Sequence, residues 1–223
     1  MSRFRRAYYD VFSGFYDLII RLHSRDDGAS LRDFLVESSG LEHGDTHLDI
    51  CTGTGSVALR ASTTVGEQGG KVIAVDFSRG MLKKARQKIK DRGLKNVHMV
   101  KADVGSLPFK EGTFDVITCS HAMYELPADV RRKSLGEVKR ALKTGGSFVM
   151  MEHEIPKKPF IRFLYYVRLT SMGSFENRQF ARDEIPELEK YLTNIRKSLS
   201  PTGKSKLISG DKSPDFISPP PSD

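Results

Sequence analysis

A pair of glycines at positions 53 and 55 follows a short apolar segment and has the spacing of a ligand-binding turn. The apolar segment covers residues 46–51, and Ser56 then opens a stretch with helical spacing. Glycines let the backbone pass close to a ligand, and the N-terminus of a helix presents unpaired N–H groups. The sequence Gly53-Thr54-Gly55 therefore predicts a seat for a nucleotide-like ligand.

Three acidic residues lie at or near the ends of three successive apolar segments, where they can select that ligand. Asp49 stands just before the glycine turn, Asp76 ends the second segment and Asp103 follows the third. A carboxylate at Asp49 would attract an ammonium group and repel a pyrophosphate. Asp76 can accept both hydroxyls of a ribose, and Asp103, with the next backbone N–H, can bind the edge of an adenine. A ligand with an amine, a ribose and an adenine but no phosphate is S-adenosylmethionine.

The same turn also fits a dinucleotide-binding fingerprint. Gly53-x-Gly55-x-x-Ala58 matches the pattern, and Asp76 comes 21 residues after Gly55, where an NAD enzyme keeps its ribose-binding acid. The acid at Asp49 and a predicted C-terminal hairpin argue against NAD, because a dinucleotide domain would continue with a sixth parallel strand. An NAD-dependent oxidoreductase and a non-catalytic S-adenosylmethionine-binding module are the alternatives to an enzyme that uses S-adenosylmethionine.

Alternating apolar and amphipathic segments supply the elements that would position these residues. Strands are predicted at 46–51, 71–76, 96–101, 114–119 and 147–152. Helices are predicted at 29–38, 56–65, 79–92, 130–142 and 182–190. This alternation is typical of a parallel sheet covered by helices on both faces. Residues 193–199 and 204–209 flank Ser200-Pro201-Thr202-Gly203, which predicts a closing antiparallel hairpin.

The chain divides by composition into three parts. Residues 1–40 are rich in aromatic side chains at helical spacing and are predicted to form an N-terminal helical cap. Residues 41–211 form the predicted α/β domain, and its aromatic segment at 155–190 is interpreted as a cover over the substrate. Residues 212–223 are polar and proline-rich, so we expect a disordered tail.

Four further motifs accompany the stretch from His47 to Gly55. They are Val75-Asp76-Phe77-Ser78-x-x-Met81-Leu82, Ala102-Asp103-Val104-Gly105-Ser106-Leu107-Pro108-Phe109, Phe114-Asp115-Val116-Ile117 and Arg140-Ala141-Leu142-Lys143-Thr144-Gly145-Gly146. Together these motifs resemble those of the class I S-adenosylmethionine-dependent methyltransferases, over about residues 40–153. The likeness is closest to the ubiquinone/menaquinone-biosynthesis type and the broader methyltransferase type 11 group. It implies a Rossmann-like class I methyltransferase sheet, mostly parallel with a C-terminal antiparallel hairpin and helices on both faces.

The resemblance also implies which residues bind the cofactor. Asp49 would lie by the methionine amine, Asp76 would bind the ribose hydroxyls, and Ser120 would place backbone near the methionine. The implied cofactor-binding set is Asp49, Gly53, Thr54, Gly55, Asp76, Phe77, Asp103, Val104 and Ser120. The chain departs from the family at Cys51 and Thr52, which replace smaller residues, and residues 7–24 lack the family's quinone-type signature.

Residues after the fourth and fifth strands could contact the methyl acceptor. Methyl transfer is an in-line displacement of a good leaving group, so positioning and desolvation supply most of the acceleration. Some acceptors also need a base, and the sequence does not choose among His121, Tyr124, Glu125, Glu152 and His153. The predicted substrate residues are Tyr16, His121, Tyr124 and His153. The aromatic residues at 160–169 favour a small apolar acceptor, such as a lipid or a quinone.

The charge of the chain limits its partners. The 223 residues carry a formal net charge of +8, and the predicted helix at 79–92 holds seven of the basic side chains. No nucleic-acid-binding module accompanies this charge, so we expect no nucleic-acid partner. The basic helix face is interpreted as solvated, with peripheral contact to anionic lipid as the alternative.

The apolar and cysteine content indicate the compartment. No apolar run reaches the roughly 18 residues that a membrane span needs, and no signal-peptide core follows the N-terminus. We therefore expect a cytoplasmic protein, with peripheral membrane association as the alternative. Cys51 and Cys119 are predicted to be buried free thiols, and no metal site is expected.

Overall fold

The computed structural model describes residues 30–157, 159–160, 162–163, 165–166 and 175–214. Its centre is a seven-stranded sheet with the order β3-β2-β1-β4-β5-β7-β6. The strands are β1 (Thr46–Ile50), β2 (Lys71–Asp76), β3 (Val97–Lys101), β4 (Phe114–Ser120), β5 (Leu142–His153), β6 (Thr193–Leu199) and β7 (Ser205–Asp211). The first five strands are parallel, and β7 runs antiparallel to both β5 and β6. The predicted sheet and its closing hairpin are confirmed.

Helices connect the strands and cover the sheet. They are α1 (Ser30–Glu37), α2 (Ser56–Val65), α3 (Arg79–Asp91), α4 (Ala128–Ala141), α5 (Phe175–Arg182) and α6 (Ile185–Leu188), with a 3-10 turn at Met123–Glu125. The described residues between 159 and 166 are also helical. The short helix predicted at 182–190 is present with narrower bounds, Ile185–Leu188, and the helix before it, α5, ends at Arg182. Pro186 lies in the first turn of α6, where a missing N–H is tolerated.

The start of β5 also differs from the prediction. Residues 143–146 were expected to form a turn between α4 and a strand that begins at Ser147, but β5 begins at Leu142. Phe114 pairs with Leu142, and the register shifts before Val116. Residues 143–146 form a bulge opposite Asp115, between the paired residues Leu142 and Ser147.

Apolar side chains pack on both faces of the sheet. One cluster joins the strands to α4 and α5 and includes Leu48, Ile117, Leu135, Val138, Phe148 and Phe180. The other joins them to α1, α2 and α3 and includes Leu35, Ala58, Val72, Ala74, Ile89 and Val149. The sheet is therefore covered on both sides, as the sequence predicted. Among the described residues, no helix has the length and apolar character to cross a bilayer.

Several predictions fall outside the described residues. They concern most of the N-terminal cap, including Tyr16, and residues 215–223 of the tail. The division into cap, main domain and tail stays a prediction.

Candidate functional site

The carboxyl ends of the five parallel strands form one edge of the sheet, and the predicted site residues lie along it. In the strand order, β2 and β3 lie on one side of β1, and β4 and β5 lie on the other. Ligands of open α/β sheets bind at such a reversal of strand order. The glycine turn after β1 stands at this point, between the acids of β2 and β3 and the histidines of β4 and β5.

The glycine turn needs its glycines for two different reasons. Gly53 and Gly55 both have positive φ angles, of 55° and 78°. A Cβ atom on Gly53 would meet nothing within 4 Å, whereas one on Gly55 would lie 3.0 Å from the Cβ of Ala85 in α3. Gly55 therefore allows the close packing of α3, and Gly53 leaves open space beside the turn. Cys51 also has a positive φ, 54°, which is uncommon for a residue with a side chain.

Asp76 joins the end of β2 to the glycine turn. One carboxylate oxygen accepts from the backbone N–H of Gly53 at 2.8 Å, and the other accepts from Ser78 at 2.9 Å. The Ser78 side chain in turn caps α3 by accepting from the N–H of Met81. Asp76 is 6% exposed, so its carboxylate is almost fully buried at this edge of the sheet. Each oxygen has a further lone pair, so the group can still accept a ribose hydroxyl.

Asp49 lies beneath the glycine turn and is held by two threonine hydroxyls. Thr52 donates to one carboxylate oxygen at 2.5 Å, and Thr118 on β4 donates to the other at 2.9 Å. Burial raises the pKa of Asp49 to about 7, although both hydroxyl bonds act to lower it. Thr118 is also 2.9 Å from Nε2 of His47. Burial lowers the pKa of His47 to about 3, so this imidazole is neutral.

The predicted adenine-binding residues follow β3 and β2. Asp103 is exposed, and its Oδ1 accepts from the N–H of Gly105 at 3.0 Å. The Asp103 carbonyl accepts from the N–H of Ser106, which closes a tight loop. Val104 is buried in this loop and Phe77 is half-buried after β2. The structure thus places all the predicted cofactor residues at the same edge.

Two histidines stand together at the ends of β4 and β5. The rings of His121 and His153 have centroids 4.2 Å apart. Nδ1 of His121 is 3.0 Å from Oγ of Ser120, and its Nε2 is 3.3 Å from Oγ of Ser205. The φ of His121 is 53°, and such a strained backbone is found most often at functional sites. These residues form a polar shelf next to the glycine turn.

The other base candidates are more deeply placed. Tyr124 is 2% exposed, and its hydroxyl donates to Glu184. Glu152 is 2% exposed and accepts from the N–H of Met123 at 2.7 Å, which holds the 3-10 turn. Burial raises the pKa of Glu152 to about 8. Glu125 is half-buried in the same turn. The substrate roles of Tyr124 and of these acids stay predictions.

The donors and acceptors at this edge suit S-adenosylmethionine. Buried acids at Asp49 and Asp76 match an ammonium and a ribose, and the open side of Gly53 leaves room for a ligand against the backbone. A pyrophosphate would face Asp49 and be repelled.

The structure adds residues that the sequence reasoning missed. His47 and Thr118 are buried polar side chains within apolar strands, and they share a face with Asp49. Their signal was present in the sequence, because polar residues at alternating positions of a buried strand need partners. Lys88 of α3 donates to the Thr54 hydroxyl at 3.0 Å, which ties the basic helix to the glycine turn.

A buried charged group on the substrate-cover side was also missed. Glu184 is fully buried, and its carboxylate meets the ammonium groups of Lys206 at 2.5 Å and Lys197 at 2.9 Å. Lys206 also donates to the carbonyl of Ala181. Glutamate and lysine side chains are usually exposed, so no local sequence pattern could have identified this buried ion pair.

Cys51 and Cys119 are free thiols, as predicted, but only Cys119 is buried; the prediction of a buried Cys51 is wrong, because this residue is half-buried in the turn after β1. The two residues lie close together, because Ile50 at the end of β1 pairs with Cys119 on β4. Contact with Cys51 and burial raise the pKa of the Cys119 thiol well above its usual value.

Comparisons with known proteins agree with this arrangement. Residues 5–202 match the model of the ubiE/COQ5 methyltransferase family. The chain is 30% identical to a demethylmenaquinone methyltransferase of Shouchella clausii, over 89% of this chain and 83% of that protein. It is 36% identical to the ubiquinone/menaquinone biosynthesis C-methyltransferase UbiE of Serratia proteamaculans, over 63% of this chain and 55% of that protein.

Solved structures show the same fold. A SAM-dependent methyltransferase from Aquifex aeolicus superposes with a TM-score of 0.64 at 24% identity, over 85% of this chain and 96% of that one. A phosphoethanolamine N-methyltransferase of Haemonchus contortus in complex with S-adenosyl-L-methionine gives 0.64 at 16% identity, over 83% of this chain and 53% of that one. These likenesses concern the fold alone. The family match and the curated relatives show that the chain belongs to the ubiE/COQ5 methyltransferase family and is a class I S-adenosylmethionine-dependent methyltransferase.

Proposed function

We propose that this enzyme methylates a small apolar acceptor of the quinone or lipid type. The acceptor would bind between the polar shelf, which contains His121 and His153, and an aromatic cover. The observation that carries the proposal is the position of the aromatic segment. The hydroxyl of Tyr165 lies 3.5 Å from the carbonyl of His153, so the helical residues at 159–166 approach the end of β5. Residues 155–190 are assigned as this cover.

The cover is anchored by α5. Arg178 and Arg182 of α5 lie over the ring of Tyr166, at 5.7 Å and 5.3 Å from its centroid. Asn177 donates to the carbonyls of Tyr124 and Leu126, which joins α5 to the 3-10 turn after β4. The cover and the shelf are thus parts of one packed unit, which is the support expected for an acceptor site.

The roles of the residues follow from this layout. S-adenosylmethionine supplies an activated methyl group on a positively charged sulfur. Asp49 and Asp76 would hold its amine and ribose, and His121 and His153 would face the acceptor. The apolar cover excludes water from the space beside them, which favours displacement at a charged centre. The chemistry of the curated relatives, which are named for menaquinone and ubiquinone biosynthesis, supports a quinone-like acceptor.

The acceptor is tested by a transfer screen with radiolabelled S-adenosylmethionine. We expect label to move into the organic-solvent fraction of a membrane-lipid extract, in a product one methylene heavier by mass spectrometry. Label found only in water-soluble amines would contradict the apolar acceptor. Calorimetry with NAD serves as the control for the oxidoreductase alternative, and we expect no binding heat.

The outer side of the cover is proposed to contact a lipid surface. Phe160 and Phe163 are 72% and 63% exposed and stand one helical turn apart, with Arg162 exposed between them and Lys157 exposed before them. Exposed aromatic rings beside cationic groups are typical of helices that lie in the headgroup layer of a membrane. An apolar acceptor could then pass from the bilayer to the cover.

Flotation with vesicles that contain anionic lipid tests this contact. Replacing both Phe160 and Phe163 with serine is expected to lower the membrane partition coefficient about thirtyfold, since partial burial of each ring contributes on the order of 1 kcal/mol. Leu199→Ser is the matched control, because Leu199 is 57% exposed on the far strand β6. Failure of the unaltered protein to float with such vesicles would refute the proposal.

A further inference from the structure

A buried row of polar side chains crosses from β4 to β1 under the glycine turn. His47, Asp49 and Thr118 are each 0–1% exposed. Thr118 is 2.9 Å from both Nε2 of His47 and Oδ1 of Asp49. The strand register fixes this row, because Asp49 pairs directly with Thr118. Burial of three polar side chains is unfavourable unless each one has a hydrogen-bond partner. Such a row lowers the stability of the fold unless its bonds are made, which suggests that it has a function.

The direction of the hydrogen bonds follows from the number of protons. A threonine hydroxyl has one proton, and Thr118 gives it to Asp49. The Thr118 oxygen must therefore accept from His47, which places the imidazole proton on Nε2. Nδ1 of His47 is then an acceptor, and among the described residues it has no hydrogen-bond partner. The neutral imidazole orients the threonine, and the threonine orients the carboxylate.

We infer that Thr118 and His47 are positioning residues of the cofactor site, and that they hold Asp49 ionised and aimed at the amine of S-adenosylmethionine. The inference rests on the proposed role of Asp49. Neither residue would touch the cofactor, since both act through the carboxylate.

This arrangement makes cofactor affinity depend on pH. The titratable groups around Asp49 are Asp76 at the end of β2, the neutral imidazole of His47 and the neutral thiol of Cys119 on β4. A backbone N–H of α2, at Ala58, supports the carboxylate. Burial and Asp76 favour the protonated acid, while the hydroxyls of Thr52 and Thr118 favour the carboxylate. A cationic amine binds the carboxylate and not the acid. As long as the amine is protonated, affinity therefore falls as pH drops below the pKa of Asp49, about 7.

Binding titrations between about pH 5.5 and pH 7.5 test the inference, because the α-amino group of the ligand stays mostly protonated in this range. For the unaltered protein we expect the affinity for S-adenosylmethionine to fall about tenfold per pH unit well below pH 7. In Thr118→Val the carboxylate loses a donor, so we expect the midpoint to move upward and the Kd at pH 7 to rise about tenfold. Thr118→Ser keeps the hydroxyl and is expected to restore the original profile.

Two controls separate positioning from a loss of structure. Methylthioadenosine has the adenine and the ribose but lacks the α-amino group of the methionine. Its Kd should therefore stay the same in Thr118→Val and across the pH range. His47→Gln can still donate to Thr118 and should behave like the unaltered protein, whereas His47→Leu should resemble Thr118→Val.

Each outcome decides between the proposals. If Thr118→Val weakens both ligands equally, the threonine supports only the architecture and the inference is wrong. A flat pH profile for S-adenosylmethionine, with binding otherwise intact, overturns the inference but leaves the proposed function standing. If the unaltered protein binds neither ligand, the assigned cofactor site itself fails.

Discussion

Replacing Asp76 with asparagine is expected to raise the Kd for S-adenosylmethionine about 10- to 100-fold, because each hydrogen bond to a charged group contributes about 1.5–3 kcal/mol. The carboxylate accepts from the N–H groups of Gly53 and Ser78. An asparagine side chain would turn an NH₂ group toward one of these donors, so one bond is replaced by a repulsive contact. The ribose would lose the carboxylate that is proposed to accept its hydroxyls, and the glycine turn would lose its tie to β2. Isothermal calorimetry with the purified protein measures the change.

Asp115→Asn is the matched control for Asp76→Asn. Like Asp76, Asp115 accepts from a backbone N–H, here that of Thr46 at 2.9 Å. In addition, it forms an ion pair with Lys143. It stands near the start of β4, at the opposite edge of the sheet from the glycine turn. We expect this variant to lose some stability but to keep its Kd for S-adenosylmethionine. An unchanged Kd in Asp76→Asn would contradict the ribose-binding role of that residue.

Replacing Lys206 with methionine is expected to lower the free energy of unfolding by about 3–5 kcal/mol, because it leaves a buried carboxylate without its nearest cation. Glu184 is fully buried and Lys206 is 1% exposed, with their charged atoms 2.5 Å apart. The carbonyl of Ala181 would also lose its donor. Since Glu184 separates α5 from α6, the change should loosen the cover more than the sheet. Urea unfolding, followed by far-UV circular dichroism, gives the free energy.

Two companion variants test whether the buried charge is the cause. Lys197 contacts the same carboxylate, but its side chain is 34% exposed, so Lys197→Met should cost about 1 kcal/mol or less. The double variant Glu184→Gln with Lys206→Met buries no charge, and we expect it to recover part of the lost stability. A loss of less than about 1 kcal/mol in Lys206→Met would show that the pair is not the main support of the cover.

The strands, their order along the chain and the position of the predicted cofactor residues at one edge of the sheet could be predicted from the sequence, because each depends on a local pattern. The run from His47 to Gly55 contains a buried strand and a glycine turn within nine residues. The acids Asp76 and Asp103 come at strand ends, and parallel strands bring such ends to one edge. The hairpin at β6 and β7 has turn residues between two strand-like segments. The antiparallel closure was therefore predictable as well.

The helical part between β5 and β6 was harder to predict, because its packing partners are remote in the sequence. Asn177 of α5 donates to the carbonyls of Leu126 and Tyr124, which lie 51 and 53 positions earlier in the chain. The boundary between α5 and α6 depends on a single proline and on the burial of Glu184. Hydrophobic spacing alone could not separate the two helices.

By itself, the sequence determined that this chain builds a parallel sheet with a glycine turn and three acids at one edge, since backbone conformation and side-chain alternation are encoded locally. Only the tertiary structure decided how those acids are held. Thr118 meets Asp49 across 69 residues and His47 across 71, and Tyr124 meets Glu184 across 60. Such contacts depend on strand register and on the order of strands in the sheet, where a shift of one residue would turn each side chain to the other face. The sequence alone thus identified the type of ligand. The groups that are proposed to tune its binding could be identified only in the tertiary structure.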